Sequence, residues 1–292
     1  MPSVSVLMCA YKEPINYIEE STQSILLQTF QDFEFIIILD NPENKELERY
    51  FTKLTASDKR VRLYVNEKNL GLVASLNRGL QYCNGDFIAR MDADDIAMPE
   101  RLFEQYRFIQ NHDLDMVGSL YQFYFGKSRK GIVEHAPESH SQIKETLKKH
   151  DCMSHPTWFA KREVFFKLCG YRQIQSCEDF DFLLRAVQHG YRLGNIQKVL
   201  LLYRVNENGI SQTTYVHQKV VTKYLAYCYR EGQDIDDINV DLFIQSKCYR
   251  RLLDVYSNSE AFKKKRSIIT GWRLFACLIK PGNLVGYIKY KT

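Results

Sequence analysis

The sequence predicts an α/β fold, in which a mainly parallel sheet is flanked by helices and followed by a helical C-terminal region. Three observations carry that prediction. Strand and helix patterns alternate over the first hundred residues, as a chain of right-handed βαβ units does. Glu34-Phe35-Ile36-Ile37-Ile38-Leu39 is a continuous apolar run rich in β-branched residues, which suits a central strand buried on both faces. Beyond about Ser211 the strand patterns stop and only helical periodicity remains.

The elements follow in order. Residues 4–9 read as the first strand. A helix over 15–28 sets Ile15, Ile18, Ile25 and Leu26 on one face. The apolar run ends at Asp40-Asn41-Pro42, a turn signal. A helix over 45–54, a strand over 61–65 and a helix over 70–83 come next. Phe87, Ile88 and Ala89 form a short strand after Gly85-Asp86. Pro99 suits the first turn of a helix carrying Leu102, Phe103, Tyr106 and Ile109 inward. A strand is expected over 116–125 and a helix near Glu163. A helix over 178–190 buries Phe180, Leu183, Leu184 and Val187 and is closed by Gly190. Residues 199–203 form the last strand. Helices over 215–231, 241–256 and 267–278 complete the chain. The expected division is a domain over 1–212, with parts 1–105 and 106–212, and a helical region over 213–292.

The chain has 292 residues with 45% hydrophobic and 26% charged content, which is the balance of a folded globular protein rather than a disordered one. Its 19 Tyr and 17 Phe could contact sugars or bases, although core packing is the plainer use of such rings. No apolar run approaches the ~20 residues that span a bilayer. The opening segment lacks the basic and apolar parts of a secretory signal. The eight Cys are scattered with no C-x-x-C pair, which argues against a zinc site or a disulfide framework. The expectation is a cytoplasmic protein. Residues 260–292 carry eight basic residues against the single acid Glu260. Their charge is therefore +7, and with a total of +5 the rest of the chain carries −2.

The candidate chemistry lies in Met91-Asp92-Ala93-Asp94-Asp95, directly after the strand at Phe87. Open α/β sheets place ligands outside the carboxyl ends of strands. Three carboxylates there repel one another unless a cation joins them, and oxygen donors of this kind suit Mg²⁺ or Mn²⁺ bridging a diphosphate. Asp40, at another strand end, can bond a base or ribose or cap its own turn. Glu178-Asp179-Phe180-Asp181 opens a helix. The helix dipole stabilises acids there and keeps them ionised, as a general base requires. Trp158, after His155, can be core or a sugar platform. Arg204 ends the last strand, and its fork suits diphosphate oxygens or a surface ion pair.

Together these segments resemble family 2 glycosyltransferases of the GT-A (Rossmann-like) fold, from about Ser3 to Ser211. Ser5-Val6-Leu7-Met8-Cys9-Ala10-Tyr11-Lys12-Glu13 resembles the opening strand and nucleotide loop, and Ser24-Ile25-Leu26-Leu27-Gln28-Thr29-Phe30 the helix that follows. Asn69-Leu70-Gly71 with Leu76-Asn77-Arg78-Gly79 resembles the Asn/Gly-rich segment, Arg90-Met91-Asp92-Ala93-Asp94-Asp95 the metal motif, and Glu178-Asp179 the catalytic-base motif. The resemblance implies that Tyr11, Glu13 and Asp40 hold the nucleoside. Asn69, Arg78, Ala93 and Glu178 would also lie against substrate. Asp92 would contact ribose or metal, and Asp94 would bind Mn²⁺ or Mg²⁺. Asp179 would be the general base, and Arg204 and Ser211 would hold the diphosphate. Leu76 stands where the family often has Arg, and Asn206 where it often has a metal-binding His.

The implied reaction is inverting transfer of a hexose or N-acetylhexosamine from a UDP-linked donor to a lipid-linked saccharide, in bacterial capsule, exopolysaccharide or lipopolysaccharide synthesis. The acceptor would sit in the region 106–158. The tail presents Ile268, Ile269, Trp272, Phe275, Leu278 and Ile279 on one helical face after the basic run 263–266. That pattern suits peripheral contact with the anionic inner face of the cell membrane, or packing on the domain. No nucleic-acid partner is implied. Two rival classes are a nucleotidyltransferase and a non-catalytic nucleotide-sugar-binding protein. The first needs a Gly-rich basic loop where Ala10-Tyr11-Lys12-Glu13-Pro14 stands, and the second has no use for Asp179.

Overall fold

The structure, a computed structural model, describes residues 1–125, 131–205, 214–233 and 235–265, together with Leu274 and Cys277. The chain divides into two compact units. The first comprises Met1–Lys144, Cys152–Arg172 and Phe182–Val205; the second comprises Glu145–Asp151, Gln173–Asp181 and Asn206–Thr292. The second unit thus takes two segments from before residue 206 as well as the stretch that follows it.

The first unit begins with a parallel half-sheet. Its strands are β1 (Val4–Ala10), β2 (Phe33–Leu39), β3 (Val61–Val65) and β4 (Phe87–Asp92), linked by α1 (Ile15–Leu26), α2 (Lys45–Ser57) and α3 (Leu72–Leu80). Every residue of β2 is buried, as a strand covered on both faces requires. β4 runs three residues further than the apolar pattern of 87–89 suggests. Backbone pairing with β1 continues to Cys9↔Asp92, so Asp92 is the last residue of the strand itself.

Beyond β4 the sheet is mixed. β5 (Ile96–Ala97) precedes α4 (Arg101–Asn111) and β6 (Met116–Tyr124). α5 (His140–Leu147), β7 (Phe159–Lys161), α6 (Arg162–Lys167), α7 (Glu178–Gln188) and β8 (Leu193–Arg204) follow. The strand order is β3-β2-β1-β4-β7-β6-β8-β5. β7 is antiparallel to both β4 and β6, β6 is parallel to β8, and β5 is antiparallel to β8. The last strand is longer than the 199–203 expected: polar Asn195 lies buried within it, and its Nδ2 donates to the Pro137 and Cys152 carbonyls.

In the second unit, α8 (Tyr215–Arg230), α9 (Asp237–Gln245) and α10 (Lys247–Lys265) are helical. One helix over 241–256 was expected; there are two. Ser246 between them is extended at ψ 157°, and its hydroxyl accepts from Tyr249 N at 3.1 Å, so it starts the second helix as a cap. The expected helix over 267–278 and most of the apolar face of the tail lie outside the described residues. No described helix is long and apolar enough to cross a membrane.

The core of the first unit joins β1, β2 and β4 to their helices through Val6, Met8, Phe35, Ile37, Phe51 and Met91. At the amino end of these strands, Gly85 N donates to Ser5 Oγ at 2.8 Å, and Ser5 donates to the Glu34 carboxylate at 2.8 Å. A Cβ on Gly85 would stand 2.6 Å from the backbone of Ser5 and Val4. Gly85→Ala should therefore cost ~1–3 kcal/mol through overpacking. Urea unfolding should show a lower midpoint at unchanged slope.

Candidate active site

The register of the parallel strands builds the site. Ala10 pairs with Leu39 across β1 and β2, and Cys9 pairs with Asp92 across β1 and β4. Tyr11, Asp40 and Ala93 therefore follow directly on three adjacent strand ends. This is the carboxyl edge, where open α/β sheets take their ligands.

Asp92, Asp94 and Asp95 crowd one end of this edge. Burial, then the charges of Asp92 and Glu13, push the Asp94 carboxyl up to about 7. Burial, then Asp92 and Asp94, push Asp95 well above the usual carboxylate range. Burial, with Asp92 adding to it, also raises Glu13, whose carboxylate accepts from Tyr11 N at 2.7 Å. Ala93, between the acids, is buried.

Three buried arginines answer this charge. Arg90 pairs with Asp92 at 2.6 Å. Burial works against the Arg90 charge, but the Asp92 carboxylate overcomes it and holds the guanidinium above its usual range. Arg101 has no exposed surface. It donates to the Arg90 carbonyl at 2.6 Å and to Gln105 at 3.0 Å. Burial draws it down to about 9, against the pull of Asp95, which leaves it charged at neutral pH. Arg204 N donates to Asp95 Oδ1 at 2.8 Å, and Arg204 Nε donates to the Asp94 carbonyl at 2.7 Å. The Arg204 guanidinium also pairs with Glu20 and lies over the Tyr17 and Tyr124 rings at 4.0 and 4.7 Å. β5 makes this possible, because Ile96 pairs with Leu202 and brings the end of β8 to the acids. In this structure, then, Arg204 braces the acid loop.

Asp40 is buried and heavily engaged. It accepts from Asn66 Nδ2 at 2.6 Å, Leu70 N at 2.8 Å and Gly71 N at 2.8 Å. Asn69 accepts from the same Gly71 amide at 2.9 Å, and Gly71 has φ 83°, a left-handed conformation that favours glycine. Arg78 donates to the Val65 carbonyl at 2.9 Å and to Asn66. The Asp40 carboxylate thus fixes the Asn69-Leu70-Gly71 loop and Asn66 rather than its own turn, which leaves little of it for a ligand.

Glu178 and Asp179 belong to the second unit, at the first turn of α7. Glu178 and Asp181 are buried while Asp179 is half-exposed, so Asp179 is the acid of this turn that solvent can reach. Its carboxylate accepts from Phe180 N at 2.7 Å. The preceding segment is tied to α8 and α10. Ser176 and Thr214 hydroxyls lie 3.1 Å apart, the Cys177 thiol donates to the Gln218 carbonyl at 3.5 Å, and His217 bridges the Gln175 carbonyl at 3.2 Å and Tyr249 at 2.6 Å.

Trp158 is not a sugar platform. It is fully buried, donates to the Met153 carbonyl at 2.8 Å and packs on His155, Tyr171 and Phe182. His155 is buried with its Nε2 2.9 Å from the Tyr171 hydroxyl. Burial, then the Arg90 charge, hold it well below the usual range and so neutral. Ser211 and Asn206 lie outside the described residues. Glu20, Asn66, Arg101 and Gln105 were not read from the sequence as part of the site.

The donor set fits a hard divalent cation. It is all oxygen, it carries excess negative charge, and Asp95 Oδ2 is buried without a hydrogen-bond partner. Among the described residues no three His, Cys, Asp or Glu side chains form a metal cage on their own. Water or a substrate diphosphate would have to complete the shell.

Comparison with known proteins agrees with this geometry. Residues 5–168 match the model of glycosyl transferase family 2. The chain is 35% identical over 226 residues to an uncharacterized glycosyltransferase of Methanocaldococcus jannaschii, covering 76% of this chain and 78% of that one. It is 28% identical over 272 residues to the Escherichia coli UDP-Gal:alpha-D-GlcNAc-diphosphoundecaprenol beta-1,3-galactosyltransferase, covering 90% and 96%. Among solved structures, Staphylococcus aureus TarS in complex with UDP-GlcNAc matches with a TM-score of 0.65 at 18% identity, over 94% of this chain and 79% of that one. A Pyrobaculum calidifontis mannosyltransferase with GDP-Man and Mn²⁺ matches with a TM-score of 0.61 at 12% identity, over 99% and 84%. These structural likenesses establish the GT-A fold.

Asp40→Ala should strand the Leu70 amide and one Asn66 amide hydrogen, leaving Gly71 N to Asn69, and cost ~2–4 kcal/mol, since one unsatisfied buried donor costs ~1–3 kcal/mol. Asp40→Asn should cost less. Denaturant melts of the two variants check both the size and the order.

Proposed function

Because the chain belongs to glycosyl transferase family 2, we propose that this glycosyltransferase takes a UDP-linked hexose or N-acetylhexosamine. It would pass the sugar, with inversion, to a lipid-linked saccharide in bacterial surface polysaccharide synthesis. The observation that carries the reading is the crowded acid group at the end of β4, where burial and then the charges of Asp92 and Glu13 push Asp94 up to about 7 and Asp95 Oδ2 is buried without a hydrogen-bond partner. A nucleoside diphosphate with a divalent cation supplies a neutralising partner. The UDP-Gal and diphosphoundecaprenol in the name of the E. coli relative support the choice of donor and acceptor class.

The residues divide the work. Tyr11, Glu13 and Asp40, with Asn69 and Arg78 behind the loop, line the nucleoside end. Asp94 and Asp92 would hold Mn²⁺ or Mg²⁺, and Ala93 leaves room between them. Bound there, the cation would offset charge on the departing diphosphate. Arg204 holds the acid loop in place. Its part toward the diphosphate, with Ser211, is carried over from the family resemblance. Asp179, half-exposed in the first turn of α7, would take the proton from the acceptor hydroxyl. That oxygen attacks the anomeric carbon opposite the leaving group, so an α-linked donor gives a β-linked product in one displacement. Glu178 supports the same turn. The domain of 1–212 would carry the chemistry. The basic residues of 260–292 would hold the enzyme on the anionic inner face of the membrane.

A screen of nucleotide-sugars, with UDP release followed with and without acceptor, tests the reading. Acceptor-dependent release from at least one UDP-sugar is expected; binding without release would leave a sugar-binding protein. Asp179→Asn should lower transfer by ~10²-fold or more with donor affinity nearly unchanged. Activity within about tenfold of wild type would remove Asp179 as the base. Asp94→Ala should abolish the Mn²⁺-dependent part of donor binding in a thermal-shift titration; an Mn²⁺ response equal to wild type would count against a ligand role.

A further inference from the structure

The second unit contains a cluster of cations that the proposed reaction does not use. The loop after α5 exposes the carbonyls of Lys148 and Lys149. Arg230, at the end of α8, donates to the Lys148 carbonyl at 2.7 Å, and Lys223 Nζ donates to the Lys149 carbonyl at 3.2 Å. A cavity of about 330 Å³ opens here, lined by Glu145, Thr146, Lys148, Lys149, His150 and Arg230. Its lining carboxylate, Glu145, is paired with Lys148 at 2.6 Å. Among the described residues, Lys149, Lys223 and Arg230 have no carboxylate partner. Burial, then the charges of Arg230, Lys219 and Lys149, hold the Lys223 ammonium below its usual range. Neighbouring positive charges are thus held together by backbone carbonyls, which orient them without cancelling them.

We propose that Lys149 and Arg230 in the lining of this cavity, with Lys223 beside it at the Lys149 carbonyl, form a binding site for a phosphate-bearing group, a phosphomonoester or diphosphate. An Arg fork beside ammonium groups suits a tetrahedral anion with several oxygens. The lining offers no aromatic ring except the His150 imidazole, so a nucleobase has no platform to stack on. The site shares no residue with the carboxyl edge of the sheet and does not depend on the reaction proposed there. The phosphate can come from a lipid headgroup or from a soluble phosphorylated molecule.

Calorimetric titration of the full chain with inorganic diphosphate, in EDTA, tests the proposal. Saturable binding is expected, weakened about tenfold or more in Lys149→Glu and in Lys223→Gln, at unchanged melting temperature. Lys149 uses only its backbone in the fold, so its exchange leaves the structure intact. Asp94→Asn should bind diphosphate as wild type does. No saturable binding, or equal binding in Lys149→Glu, would overturn the site. So would a loss confined to Asp94→Asn, which would assign the binding to the sheet edge. Co-sedimentation with phosphatidylglycerol and phosphatidylcholine vesicles then separates the sources. Loss of phosphatidylglycerol binding in Lys149→Glu identifies a headgroup; unchanged vesicle binding beside lost diphosphate binding identifies a soluble phosphate.

Discussion

Everything at the candidate site depends on keeping several carboxylates together at the end of β4. Asp94 and Asp95 are both raised, and burial is the largest cause for each. Like charges held this close in a low dielectric would drive the loop apart if nothing opposed them. The opposing charge comes from below, in Arg90, Arg101 and Arg204, all buried. The Arg101 and Arg204 guanidiniums also grip groups of neighbouring elements, the Arg90 carbonyl on β4 for Arg101 and the Asp94 carbonyl and Glu20 for Arg204, so their part of the compensation is rigid. Asp95 Oδ2 is left buried without a hydrogen-bond partner. The fold thus stores a demand for positive charge at the place where a nucleotide diphosphate and its cation would sit.

The rest of the first unit serves that arrangement. The parallel register of β1, β2 and β4 sets three strand ends side by side. Asp40 spends its hydrogen-bonding capacity on the Asn69-Leu70-Gly71 loop, so this part of the sheet edge, where the nucleoside is proposed to lie, is held in place by the protein's own bonds. Preorganisation of this kind lowers the ordering cost of binding. α4 contributes through Arg101 and Gln105, whose side chains reach the Arg90 and Thr157 carbonyls and tie β4 to the segment ahead of β7. In the second unit, α8 and α10 fix the segment that leads into Asp179, which gives the helical region a part in placing the proposed base.

Much of this was legible in the sequence where a local pattern forces a local structure. β2 announced itself by unbroken apolar residues, and Asp92-Ala93-Asp94-Asp95 by its place after a strand. β5 and β7 did not, because strands of two and three residues are too short to show alternation. The end of β8 nearest Leu193 was hidden by Asn195, whose burial only its distant carbonyl partners explain. The break at Ser246 had a local signal in the capping serine, and the apolar pattern ran across it. Two of the site residues missed in the sequence, Glu20 and Asn66, share one cause. Glu20 meets Arg204 across 184 positions and Asn66 meets Asp40 across 26, and no spacing rule connects such pairs. Trp158 could be core or platform until the rings around it were placed.

The central claim is that the acid cluster is an incomplete metal site which a nucleoside diphosphate completes. Electron paramagnetic resonance of Mn²⁺ titrated into the full chain, with and without UDP, tests it most directly. Carboxylates without a closed cage should bind Mn²⁺ weakly, and UDP should tighten that binding by about tenfold or more. Equal Mn²⁺ affinity with and without saturating UDP would contradict the account.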